Sequence, residues 1–193
     1  MNTYKRTCCG GFQNDRKDTL RKQLAQLAFE QLSPVMALKK ISKFTISCPG
    51  LRRNEHEVVA YAGLKDYYIG AEKDAEICAE NSDLIQGDVL EVLSNVKAAG
   101  YPRPSVLDLD IYKHMISEAE AKRIADATHK YMSRWTCVRF TVPLRANKTP
   151  TKTVERALRR KFRIISMASA TYKGGKDGHG IPMGIFQFIL ERK

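Results

Sequence analysis

Asp108 and Asp110 stand two residues apart in the run Val-Leu-Asp-Leu-Asp-Ile. On an extended chain alternate side chains share a face, so a strand here puts both carboxylates on one side. Such a pair could hold a divalent cation through its oxygens. No third ligand is evident in the sequence, and a solvated polar face is the default. The other stretch with chemistry in it is TKTVERALRRKFRII, Thr151 to Ile165, which carries six basic side chains and one acidic one. Guanidinium and ammonium groups at helical spacing either meet an anion such as phosphate or stand as a solvated basic face.

Other candidates carry less. His56, His114, His129 and His179 lie far apart and form no metal-ligand spacing, so each is read as a surface or packing group. The loop Gly174-Gly175-Lys176-Asp177-Gly178-His179-Gly180 lacks the fixed spacing and Lys-Ser/Thr ending of a nucleotide-binding loop. Val59-Ala60-Tyr61 and Tyr68-Ile69-Gly70 resemble the paired tyrosine motifs of GIY-YIG nucleases, but only six residues separate the tyrosines, too few for that site. The five cysteines, at 8, 9, 48, 78 and 137, form no C-x-x-C pair, which argues against zinc and for reducing surroundings. No catalytic constellation, cofactor site or metal site follows from these residues.

The elements that must position the basic stretch begin with its own helix. Thr149 caps it and Pro150 opens it. Lys152, Arg156, Arg159, Arg160 and Arg163 fall on one face, and Val154, Leu158, Phe162 and Ile165 on another, facing a core. Ile164-Ile165 also read as the start of a strand. Upstream, Asp18 to Leu32 is expected to be a helix that Pro34 stops or bends. Ile41 to Cys48, Val58 to Tyr61 and Tyr67 to Ile69 are expected as strands, and Asp83 to Ala99 as a helix closed by Gly100. Tyr101 to Pro104, with two prolines, marks the best boundary. Beyond it come a strand over Ser105 to Tyr112, a helix over Ser117 to Met132, a strand over Cys137 to Leu144, the basic helix, a Gly-rich loop over Lys173 to Gly180 and a strand over Met183 to Leu190. The order β-α-β-α-β-β suggests helices on one face of a small ferredoxin-like sheet.

Charge divides the chain unevenly. The net charge is +12, yet residues 129–193 hold 15 basic and 3 acidic residues and account for all of it. Such asymmetry points to a polyanion bound by one part of the molecule. The basic segment lacks the Trp/Phe/Leu-rich face of an interfacial helix, which favours nucleic acid over a membrane. The longest apolar run, Ile181 to Leu190, is broken by Pro182, Gly184 and Gln187 and falls short of the roughly 18 residues a membrane span needs. Met1 to Gly11, with Lys5 and Arg6 and no acid, carries a weak organelle-targeting signal and no secretory one.

Three anchors carry a family resemblance: LDLDIYKHMISEAEAKRIADATHKYM, then FTV at 140–142 followed by TKTVERALRRKFRIISM, then GIPMGIFQFIL. In this order they resemble the ribosomal protein ten family of the small subunit, a ferredoxin-like protein of the ribosomal head. The resemblance covers residues 104–193. The hairpin before Phe140 is shorter than the family's, and residues 1–103 have no counterpart in it.

The expectation is therefore an α+β protein: a neutral N-terminal α/β extension, residues 1–103, and a basic ferredoxin-like RNA-binding domain, residues 104–193. The resemblance implies a non-enzymatic, structural rRNA-binding protein of the ribosomal small subunit, and the unmatched extension over residues 1–103 suits a divergent mitochondrial ribosome, in the matrix rather than the cytoplasm. Its partners would be ribosomal RNA and neighbouring ribosomal proteins, with no membrane, no cofactor and no small-molecule substrate. Arg145, Lys148, Lys152, Arg156, Arg159, Arg160 and Arg163 would meet phosphates and sugars. One alternative is a metal-independent RNA endonuclease of the CRISPR repeat-processing type, with His129 or His179 as general base. Another is a phage or plasmid nucleic-acid-binding accessory protein.

Overall fold

A strand covered on both faces needs apolar side chains at successive positions, and Val106, Leu107 and Leu109 provide them around Asp108. This strand is the centre of the molecule. The computed structural model describes residues 15–47, 67–80, 84–111, 116–144, 151–174 and 180–193. Its elements are α1 (Asp15–Lys39), β1 (Phe44–Ser47), β2 (Tyr67–Glu72), α2 (Ala75–Glu80), β3 (Leu84–Gln86), α3 (Val89–Val96), β4 (Val106–Asp110), α4 (Glu118–Tyr131), β5 (Trp135–Pro143), α5 (Thr151–Arg159), β6 (Phe162–Lys173) and β7 (Pro182–Arg192).

The strands form one seven-stranded sheet in the order β3-β2-β1-β4-β5-β7-β6. Strands β1 to β5 are parallel, and β7 runs antiparallel to both β5 and β6. Each parallel step among β2, β3, β4 and β5 carries a helix, as a crossover requires. The helices start where local chemistry supports them. Asp88 caps α3 by accepting from the Leu90 N–H, and Ser117 with Glu120 forms a capping box at α4. Gly100, at φ +83°, turns the chain after α3, as its freedom at positive φ allows.

Both faces are covered. On one, Ala25, Ala28, Leu32 and Met36 of α1 pack on Val106, Cys137 and Ile189. On the other, α3, α4 and α5 bury Leu93, Val96, Ile124, Ala125, Val154 and Leu158 against Leu107, Leu109, Val138 and Phe140.

Several expectations are corrected. The sheet is not ferredoxin-like: it is mixed but mostly parallel, with helices on both faces. The chain is continuous across 103/104, because β1 and β4 are neighbours in register, Thr45 opposite Val106. Tyr101 to Pro104 is an internal crossover, with Tyr101 against Phe44 at 5.8 Å and the Ser133 N–H donating to the Pro104 carbonyl at 2.8 Å. Pro34 does not stop α1. The carbonyl that loses its N–H partner belongs to Glu30, an exposed residue, and buried Leu32 and Met36 anchor the turns around it. The helix expected over 83–99 is β3 followed by α3. The basic helix ends at Arg159, and Phe162 opens β6, paired with Arg192. The strand at Val58 to Tyr61, the cap at Thr149-Pro150, the targeting signal in residues 1–11, most of the loop 173–180, and His56, His114 and His179 lie outside the described residues.

Candidate functional site

In the sheet order, β1-β2-β3 run out to one side and β4-β5 to the other. The reversal lies between β1 and β4, and it is at such a reversal, outside the carboxyl ends of the strands, that open α/β sheets bind their ligands. Register places the side chains there. Ser47, the last residue of β1, lies opposite both Gly70 and Asp108. Glu72 and Asp110 thus each extend two residues beyond it, on its two sides. Paired residues of a pleated sheet point the same way, so Ser47, Glu72, Asp108 and Asp110 share the α1 face.

Glu72 ends β2 and is buried, with 3% of its surface exposed. Its Oε1 accepts from the backbone N–H groups of Lys73, at 2.8 Å, and Asp74, at 3.2 Å. Its Oε2 is buried without a partner among the described residues. A buried carboxylate oxygen left unmatched among the described residues can accept a further donor. The surrounding turn is held firmly. The Gly87 N–H donates to the Glu72 carbonyl at 2.8 Å, and Lys73 reaches Asp88 at 2.7 Å, joining the end of β2 to the start of α3. Burial works against the Asp88 charge, but hydrogen bonds from Lys73 and the Leu90 N–H outweigh it and hold the carboxyl below the usual range.

On the other side of β1 a polar network lies beneath the first turns of α1. Arg139 meets Asp108 at 2.5 Å, both buried and directly opposite across β5 and β4. Arg21 reaches Asp110 at 3.4 Å and the Thr141 hydroxyl at 3.0 Å, and Lys17 reaches Asp110 at 3.2 Å. Burial would raise the Asp108 pKa. The guanidiniums of Arg139 and Arg21 win instead and hold it below the usual range. Lys17 goes the other way for an ammonium: burial first, then the charge of Arg21, push it below the ordinary lysine value. The two aspartates are therefore not a solvated face. Composition hinted at this, with carboxylates inside an apolar run, but their partners lie far off in the chain.

The expected RNA-binding residues do not gather here. Arg145 and Lys148 lie outside the described residues. Lys152, Arg156, Arg159, Arg160 and Arg163 are exposed. Lys152 starts α5 near the carboxyl edge, and Arg159, Arg160 and Arg163 lie at the opposite edge. Arg156 pairs with Glu118, Arg159 with Glu155 and Arg163 with Glu191. His129 packs edge-on to Phe162 at 5.8 Å, as a packing histidine would. Cys137 is buried under α1, and burial pushes its thiol up to about 12, which keeps it inert.

No family model and no curated protein matches the chain. Solved structures do. The O-methyltransferase of Bacillus cereus, solved in complex with SAH, matches at TM-score 0.57 and 10% identity, over 92% of this chain and 82% of that one. A SAM-dependent methyltransferase of Archaeoglobus fulgidus matches at 0.51 and 10% identity, over 87% and 94%. The fibrillarin pre-rRNA processing protein of Methanococcus jannaschii matches at 0.50 and 15% identity, over 79% and 68%. At these identities the likeness concerns the fold, which is the Rossmann-like fold of SAM-dependent methyltransferases. It overturns the resemblance to the ribosomal protein ten family. The structural rRNA-binding role, the assignment to the ribosome and the expectation of a non-enzyme are corrected with it. The endonuclease alternative rested on the same ferredoxin-like sheet and falls too.

Proposed function

We propose that this chain is a SAM-dependent methyltransferase whose cofactor crevice lies above the carboxyl ends of β1, β2 and β4. The observation that carries this reading is Glu72, a buried carboxylate at the end of β2 with one oxygen unmatched among the described residues. A ribose diol offers the paired hydroxyl donors such an oxygen lacks. SAM, when bound, supplies a methyl group made electrophilic by its sulfonium.

The chain's residues divide the remaining work. The N–H groups of Lys73 and Asp74 fix one oxygen of Glu72, leaving the other to accept from a hydroxyl. The Lys73–Asp88 pair braces the wall formed by the start of α3. Across β1, Arg21 and Asp110 orient Lys17 at the edge of the sheet. Held there as an ammonium by Asp110, the Nζ places a positive charge beside the crevice.

Calorimetric titration of SAH into the full chain tests this. The wild type should bind. Glu72→Gln keeps the acceptor for the two backbone N–H groups and replaces the unmatched oxygen with a donor. It should weaken binding about tenfold to a hundredfold, the usual range for a charged hydrogen bond of about 1.5–3 kcal/mol. Glu76→Ala, on the exposed side of α2, should bind as the wild type does. No binding by the wild type, or equal binding by Glu72→Gln, would overturn the reading.

A further inference from the structure

We infer that the groove between α4 and α5 binds the sugar–phosphate backbone of a nucleic acid. Lys122 lines it from α4, and Arg156, Arg160 and Lys161 from α5 and the turn after it. Two acids share the groove. Glu118 pairs with Arg156 at 3.6 Å and Asp126 with Lys161 at 3.1 Å, with all four side chains exposed. Ion pairs so exposed are weak and give way readily to other anions. Among the described residues, neither Lys122 nor Arg160 has an acid within ion-pair distance. The groove therefore keeps an excess of positive charge even with both acids engaged.

The rest of this region cannot neutralise it. Residues 129–193 contain three acids against fifteen bases. Glu155 is taken by Arg159 at 2.7 Å, and Glu191 is shared between Arg134 and Arg163. A surface held at this imbalance attracts a polyanion. The spacing suits one with a regular charge repeat. Lys152 and Arg156 fall on successive turns of α5, about 6 Å apart along the axis, and Arg160 follows in the turn that closes it, a spacing of the order of that between neighbouring phosphates. A membrane fits less well, because the apolar lining is Ala125 and Ala157 and offers no large side chain to insert. Both helices begin at the carboxyl edge of the sheet, so one end of the groove lies at the edge that carries Glu72 and Asp110, on the opposite face of the sheet. The inference itself needs nothing from Glu72.

The test is fluorescence anisotropy on the full chain with short labelled strands of RNA and DNA, single and duplex, across a range of KCl. Arg156→Ala/Arg160→Ala removes two charges from the groove. Arg16→Ala/Lys39→Ala removes the same number from exposed positions on α1, on the other face of the sheet. Thermal melts confirm that both variants fold. The groove variant should bind more weakly, and its slope of log affinity against log salt should shrink by about 1.4–1.8, at about 0.7–0.9 per phosphate contact. The α1 variant should keep the wild-type slope. Binding of RNA and DNA alike keeps the inference, and binding of RNA alone adds a 2′-hydroxyl contact to it. Binding of neither overturns it, and so does an equal loss of slope in both variants. Glu72→Gln should retain the full slope, so a failed cofactor reading leaves this result intact.

Discussion

Asp108 and Arg139 face each other across β4 and β5 with side chains 1% and 2% exposed. Removing one partner of such a pair strands the other as an uncompensated buried charge or dipole. Asp108→Asn should destabilise the fold by about 3–5 kcal/mol in denaturant titrations, whereas an apolar replacement of both residues should cost far less. The same carboxylate predicts a pH dependence. Its folded pKa lies below the unfolded value, so its contribution is fully present above the ordinary carboxylate value of about 3.9. Stability should fall as the pH drops through that value toward the folded pKa, and Asp108→Asn should flatten this acid limb. A wild-type acid limb no steeper than the variant's would show that the pair contributes nothing. The aspartates were legible as a shared face of a strand. Their burial was not, because Arg139 lies 31 residues away and only strand register brings it opposite. Glu72 was missed for a similar reason: a carboxylate at a strand end looks like any surface acid until the strand has neighbours.

At the scale of elements, local periodicity served well where a helix packs on one side. Val154 and Leu158 are buried and Arg160 is exposed, as their spacing implied. Leu158→Ala should cost about 2–5 kcal/mol through the cavity it leaves. Arg160→Ala should stay within about 0.5 kcal/mol. Denaturation midpoints of the two variants check both, and a reversed order would mean that α5 is rotated. Boundaries were less legible. Phe162 is buried as expected, but from β6, because pairing with Arg192 on β7 captures the chain after Arg159. Ile165, assigned to the same apolar stripe, is 42% exposed. The break between β3 and α3 went unread because three residues, Leu84 to Gln86, suffice for a strand that only tertiary pairing reveals.

For the whole molecule, the alternation of strands and helices after residue 104 was read in its true order, and the sense of pairing was not. A helix between two strands brings the chain back to start the second strand alongside the first, which favours parallel neighbours. A parallel sheet needs cover on both faces. After residue 104 the chain supplies α4 and α5, which cover one face. The cover for the other is α1, and the neighbour that completes β4 is β1, both before residue 103. A fragment of residues 104–193 would therefore expose Val106 and Ile189, and Met183 and Ile185, which now lie under α1. Each such side chain is worth about 1.5–3 kcal/mol when buried. Losing several approaches the roughly 5–15 kcal/mol that holds a domain together. The fragment would also open Asp108 and Arg139 to water and leave one edge of β4 unpaired. It should lack a cooperative thermal transition and bind a hydrophobic dye, while the full chain unfolds in one step. A fragment that melts sharply near the temperature of the full chain would show that the C-terminal strands fold without α1 and β1, and the single doubly covered sheet would lose its support.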